Sequence, residues 1–498
     1  MTIKRSSGIL LPIFSLPSPY GIGTLGKEAY RFVDFLVEAD QSYWQVLPLG
    51  HTSYGDSPYQ AFSSFAGNPY FIDLDLLVKD GLLKRNELKD IIVNDPCHID
   101  YGYLYETRYL ILHKAYERGV DRYATDFEAF RKENPWLKDY SLFMAIKKHF
   151  DMHSWLEWPD EAIRLRKTKA LHKYEEMLAD DIAFYGFLQF LFFRQYLDLK
   201  HYANERGIKI IGDLPIYVSL DSCEVWAEPK QFQLDKETHI PHEVAGVPPD
   251  YFSNDGQLWG NPLYDWTYMK KDHYGWWKRR LEGTGKYFDV VRIDHFRGFQ
   301  DYWAVPYGAK TAKHGRWLPG PSKDFVAVLK KEFPEIQFIA EDLGDITDEV
   351  TELLKYSTFP GMRVLQFSMS PDGSSTHSPH NHVQNCICYI STHDNVPIMG
   401  WIRKANKQDL SYAGSYYGFN KKEGYNYAFI RAGMNSVADL FVCQIQDYLG
   451  LDESAVINVP GTLGNWTWRL AKGQITLKLA HKIRKIVHGC GRSRKDSY

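Results

Sequence analysis

The sequence predicts an α/β protein built on a parallel sheet, and three observations support that reading. Short apolar runs of strand length recur along the 498 residues, with helical patterns between them. Strand–helix alternation of this kind indicates parallel pairing. The strands are near-continuously apolar, as expected when helices cover both faces. A doubly wound sheet and a (β/α)8 barrel both satisfy these observations. No G-x-G-x-x-G follows the first apolar run, which counts against a dinucleotide-binding sheet.

The predicted strands are Trp44–Leu49, Ile208–Ile211 running into "GDLPIYV", Phe288–Ile293, Phe338–Glu341, Val364–Phe367, Ile387–Ser391 and Ala438–Ile445. Helical periodicity marks Glu28–Ala39, Phe184–Ala203, Phe325–Phe333 and Asp348–Tyr356. Two intervals are too long for a simple βα connection. Residues 75–175 carry helical patterns rich in Tyr, Leu, Lys and Glu, and read as an inserted helical subdomain. Residues 219–285 are turn-rich and aromatic, and read as an inserted loop-rich subdomain. The closing "GRSRKDSY" reads as a frayed tail.

Composition narrows the function. Fifty-nine basic and 62 acidic side chains leave a formal charge of −3. That balance argues against broad capture of nucleic acid or an anionic membrane. The six cysteines are scattered, with only Cys386 and Cys388 close together, and no zinc-type C-x2-C pair exists. They read as reduced thiols of a cytoplasmic protein. The apolar run Gly8–Phe14 after Lys4 and Arg5 is short, broken by Pro12 and followed by no cleavage signal. No stretch reaches the roughly 18 apolar residues of a membrane span.

Aromatics make up 15 % of the chain, and several sit in Gly/Pro/Asp-rich loops: "YGDSPYQAFSSF", "VPPDYFSNDGQLWGNPLYDW", "GNWTWR". Flat apolar faces with polar edges suit sugar rings. The chemistry is carried by acids at strand ends: Asp213 in "IIGDLP", Asp294 in "VVRIDHF", Glu341 and Asp342 in "FIAEDLG", Asp394 in "YISTHDN". In a barrel, the C-terminal strand ends are where active sites are built. Side chains alternate along a strand. Val290, Arg292 and Asp294 therefore share the interior face, and Val291, Ile293 and His295 the other. The same parity pairs Ile339 with Glu341 and leaves Asp342 and His295 to structural roles.

Two chemistries fit such acids. One is an enolase-type metal site. The other is glycosyl transfer between paired carboxylates. Arg292 beside Asp294 favours an ionised carboxylate and opposes a metal cation. No lysine base stands at the strand ends, since Lys209 lies at the far end of its strand. The aromatic loops add weight to sugar.

The blocks "GILLPIFSLPSPYGIGTLG", "WQVLPL", "SPYQAFSSFAGNPYFIDL", "GDLPIYV", "VAGVPPDYFSNDGQLWGNPLYDW", "RIDHFRG", "AEDLG", "STHDN" and "NVPGTLGNWTWR" together resemble the amylomaltases. These are 4-α-glucanotransferases of the α-amylase clan, and the blocks run in order from about residue 8 to 469. The resemblance implies a (β/α)8 barrel with inserted subdomains and no separate C-terminal β-domain. It implies Asp294 as nucleophile, Glu341 as general acid/base and Asp394 as the third, transition-state-stabilising carboxylate. Arg292 would be the nucleophile's companion and His393 the neighbour of Asp394 on the sugar, while Asp213, Ser57 and Tyr59 would belong to the donor pocket. Trp259 would lie in the sugar groove, and Asp250, Tyr251 and Phe252 would form a lid.

The implied reaction is double displacement with net retention, and a carboxyl separation of about 5–5.5 Å. Glu341 is expected to have a raised pKa. The expected partners are maltooligosaccharides and α-1,4-glucans, with no metal, cofactor, nucleic acid or membrane, in a monomer or weak homo-oligomer. A plain α-glucan hydrolase of the same clan is the near alternative. The "NWT" sequon at Asn465 reads as incidental.

Overall fold

The computed structural model describes residues 3–53, 55–93, 95–249 and 253–494. Eight parallel strands form the core: β1 (Ser6–Leu10), β2 (Tyr43–Gln45), β3 (Lys209–Leu214), β4 (Val290–Ile293), β5 (Gln337–Ala340), β6 (Gly361–Val364), β7 (Cys386–Tyr389) and β8 (Leu440–Gln444). Their order is β6-β7-β8-β1-β2-β3-β4-β5, so the sheet follows chain order around a circle. This is the (β/α)8 barrel.

The circle closes between β5 and β6 without a full ladder. Ala340 N–H donates to Pro360 O at 3.0 Å. Asp342 supplies the rest. Its carboxylate accepts from Met362 N–H, beside β5, and from Arg363 at 3.0 Å. The acid at the end of "AED" thus stands in for a missing backbone acceptor. It is not the cap of the next helix, whose N-cap is Thr347.

β1 escapes the sequence reading, which met its residues only as a short apolar run. It lies at the centre of the sheet order, hydrogen-bonded to both β8 and β2. A Cβ at Gly8 would stand 2.8 Å from Tyr43 Cβ and 2.9 Å from Tyr43 O, so only glycine lets these strands approach. Two other strands are shorter than expected. β2 stops at Gln45, three residues before Pro48, which has no N–H to give a ladder. The run expected as Val364–Phe367 ends as a strand at Val364, and Leu365–Phe367 is a 3-10 turn. That turn brings Phe367 to the cavity at the barrel mouth.

The tail is also different from expectation. Arg492 is buried and donates to the carbonyls of Met434, Ser6, Asp439, Ser436 and Ala438. Arg494 reaches Asp40 and the carbonyls of Arg206 and Val37. Residues 491–494 therefore lock the N-terminal end of the barrel by donating to backbone carbonyls around it.

Among the described residues between β2 and β3 there are seven α-helices, of which Ala179–Glu205 is the longest and packs on Trp136–His149. This layer grips the loop that follows β2. His51 uses both ring nitrogens, one on Tyr140 Oη at 3.0 Å and one on Tyr109 Oη at 2.7 Å. Burial pushes His51 down to about 3, so it stays neutral and can both donate and accept. Gln189 forms a two-way pair with the Gly67 backbone. Residues 51 to 67, which carry Ser57 and Tyr59, are thereby fixed at both ends.

Loops after β3 and β4 build a second, antiparallel sheet over the mouth. Its order is Gln257–Pro262, Glu243–Val247, Asp301–Pro306, Arg316–Pro319. Among the described residues, no helix is long and apolar enough to cross a membrane.

Candidate active site

A cavity of about 700 Å³ opens at the C-terminal ends of the barrel strands. Arg292, Asp294, Glu341, His393, Asp394, Tyr59, Ser57 and Trp259 all line it. Strand register brings the charged groups together. Asp213 on β3 pairs directly with Arg292 on β4.

Arg292 organises the centre. Its Nη1 lies 2.7 Å from both Asp213 oxygens and 3.0 Å from Asp294 Oδ1. Burial opposes its charge, but Asp213 and Asp294 outweigh burial and hold it cationic. Asp213 is fully buried behind it, with a side chain 0 % exposed. It also accepts from Tyr59 Oη at 2.8 Å. The structure places Asp213 as the support of Arg292 and Tyr59, outside the lining of the mouth cavity.

Tyr59 Oη reaches His393 Nε2 at 2.8 Å, and the two rings stack 12° from parallel. Burial lowers the His393 pKa, so the ring is neutral and acts as a hydrogen-bonding partner. Its Nε2 lies 3.3 Å from Asp394 Oδ2. Tyr59, His393 and Asp213 thus form one chain from loop to barrel wall.

Glu341 sits at the end of β5. Both oxygens accept backbone N–H groups, from Leu343 at 2.7 Å and from His295 at 2.8 Å. His295 can present its N–H this way because its backbone is left-handed, with φ 52. The strand has already ended at Ile293, so pleat parity no longer applies. The His295 ring consequently faces the cavity and packs edge-on to Trp259, centroids 4.9 Å apart. This corrects the expectation that His295 points to the helices.

Burial raises the Glu341 pKa, against the pull of Arg292 and the two N–H groups. Asp294 departs from expectation. Its carboxyl is also raised, first by burial and then by Asp213, Glu341 and Asp394, while Arg292 pulls the other way. Arg292 does not belong to Asp294 alone. In the fold Arg292 spends its strongest contact on Asp213, and two further carboxylates crowd the site.

The sequence profile of the 4-alpha-glucanotransferases matches residues 11–476. The chain belongs to the 4-alpha-glucanotransferase family. The 4-alpha-glucanotransferase of Clostridium butyricum is 46 % identical over 487 residues, spanning 96 % of this chain and 99 % of its own. That of Thermus thermophilus is 43 % identical, spanning 99 % of this chain and all of its own. An amylomaltase from Streptococcus agalactiae, solved in complex with acarbose, superposes with a TM-score of 0.96 at 41 % identity, covering 99 % and 100 % of the two chains.

In this glucanotransferase the sequence reading passed over two site residues. Trp466 packs on both Tyr59 and His393, with centroids 5.8 and 6.1 Å away. The motif "GNWTWR" offered the signal, since it places an aromatic in a glycine-bounded loop. Asn458 donates to Asp394 Oδ1 at 2.6 Å, a contact that no local pattern reveals. Asn465 of the "NWT" triplet spends its amide on Val459 and Thr462, holding the loop closed. Asp250, Tyr251 and Phe252 lie outside the described residues; the neighbouring Gly256, Gln257 and Leu258 line the cavity.

Proposed function

We propose that Asp294, Glu341 and Asp394 divide the chemistry of glucan transfer by a retaining double displacement. The protein is a 4-α-glucanotransferase and moves α-1,4-glucan segments from a donor to the 4-hydroxyl of an acceptor. In the first step an Asp294 oxygen bonds to the anomeric carbon while the bond to the leaving O4 breaks. The proton of Glu341 goes to that oxygen. In the second step the acceptor 4-hydroxyl gives its proton to Glu341, bonds to the anomeric carbon and displaces Asp294. Two inversions give retention.

The observation that carries this assignment is the placing of Arg292. Its Nη1 lies 3.0 Å from Asp294 Oδ1 and fixes that carboxyl at the mouth, its charge opposing the burial and the neighbouring acids that raise Asp294. Burial raises both carboxyls, and Glu341 carries the one proton that the first step needs. Asp394, held between His393 and Asn458, binds sugar hydroxyls and gains most when charge develops on the ring. Trp259 and Trp466 offer the ring faces for neighbouring glucose units. The helical segment 75–175 and the segment 219–285 act as subdomains flanking the groove. Tyr251 and Phe252 serve as a lid that favours acceptor sugar over water.

Maltotriose separates transfer from hydrolysis. Transfer yields glucose and a ladder of longer maltooligosaccharides at constant total reducing ends. A steady rise in reducing ends would instead mark a hydrolase. In the Tyr251→Ala/Phe252→Ala variant the share of hydrolysis should increase; an unchanged ratio removes the lid role.

A further inference from the structure

The segment from Ile457 to Trp466 leaves the barrel and returns to it at nearly the same point. Trp466 N–H donates to Ile457 O at 2.8 Å, closing the base. Trp466 holds a left-handed backbone, φ 66, which a bulky side chain adopts only under constraint. The two residues at this base grip the catalytic centre from opposite sides. Trp466 covers the Tyr59 and His393 rings. Asn458 uses its backbone N–H on His393 O at 3.1 Å and its side-chain amide on Asp394 Oδ1 at 2.6 Å.

Asp394 needs such a hold. It follows the end of β7 by several residues, and its side chain is 37 % exposed. His393 is neutral, and its Nε2 lies 3.3 Å from Oδ2. Asn458 is the donor to the other oxygen. A carboxylate with one neutral neighbour on each oxygen has a fixed plane and still keeps lone pairs for sugar hydroxyls.

We propose that Asn458 is a positioning residue: it acts on transfer through Asp394, by fixing the orientation of that carboxylate for the transition state. The inference rests on the role of Asp394 proposed above. It assigns no sugar contact to Asn458. Its contribution is to remove the reorientation Asp394 would otherwise undergo as charge develops, so it belongs to kcat and not to ground-state binding.

A double-mutant cycle tests this with the full-length enzyme. The donor is α-maltotriosyl fluoride and the acceptor glucose, since fluoride leaves with little proton assistance and slow variants stay measurable. Asn458→Ala should lower kcat roughly 10- to 100-fold, the range for one hydrogen bond to a charged group, with KM changed less than about 3-fold. Asn458→Leu keeps the approximate shape but removes the donor, and should fall at least as far. In an Asp394→Asn background, Asn458→Ala should cost less than about 3-fold more, because its only route is gone. Full additivity in that background, or a rise confined to KM, overturns the inference while leaving Asp394's role intact. An Asp394→Asn enzyme as fast as the parent overturns both. Thermal unfolding of each variant identifies one that fails to fold, and Asn458→Leu then supplies the cycle.

Discussion

Replacing Asp213 by Asn probes the electrostatic design of the site, because Asp213 is buried, isosteric with its substitute and bound to two functional side chains. Breaking a buried ion pair by deleting its only partner costs about 3–5 kcal/mol. Arg292 would keep Asp294 at 3.0 Å, so the loss should be nearer about 2–3 kcal/mol. An unfolding entropy of about 2.1 cal/mol/K per residue over this chain amounts to roughly 1 kcal/mol/K. The expected fall in Tm is therefore about 2–3 °C, read by calorimetry at neutral pH.

The catalytic consequence has a definite sign. Asp213 is one of the charges that raise the Asp294 carboxyl. Removing it lets Asp294 ionise at lower pH, so the acid limb of kcat/KM for maltotriose should move to lower pH. The plateau should drop roughly 10- to 100-fold, since Arg292 and Tyr59 both lose a charged acceptor. An acid limb that moves upward, or an unchanged Tm with an unchanged plateau, would refute the view that Asp213 supports Arg292 and Tyr59.

Asp294→Asn should abolish transfer, by about four orders of magnitude or more, yet raise stability at neutral pH. A carboxyl whose pKa is raised by folding costs stability as pH climbs from its ordinary value towards the folded one. Asn carries no such cost, so the Tm advantage should vanish in acid, below the ordinary carboxyl pKa. Arg492→Ala strips donors from five carbonyls at the far end of the barrel and should lower Tm by about 3–5 °C, with maltotriose kcat/KM unchanged. Trp466→Ala removes two ring contacts in the groove; KM for maltotriose should rise by about tenfold, as seen in initial-rate kinetics.

Local chemistry made much of this protein legible from its sequence. Apolar runs ending in acids marked the strands and the mouth, and pleat parity put Arg292 and Asp294 on one face. The motifs "RIDHFRG", "AEDLG" and "STHDN" carried the family. These are short-range properties, set by neighbours along the chain and by the period of a strand. What the sequence could not hold are relations between distant segments. Arg292 is shared with Asp213 because β3 and β4 pair in one register, 79 residues apart, and burial together with Asp213, Glu341 and Asp394 outweighs its pull on Asp294. Asp342 closes the barrel because β5 and β6 fail to complete a ladder there. His295 turns to the cavity because the strand ends at Ile293 and the His295 backbone itself is left-handed. Arg492 is a lock because the strand starts at Ser6 and Leu440 leave carbonyls within its reach. The sequence by itself determined which side chains could do the chemistry; the tertiary structure decided their charge and their partners, because Coulomb and hydrogen-bond energies depend on distances through space and not along the chain.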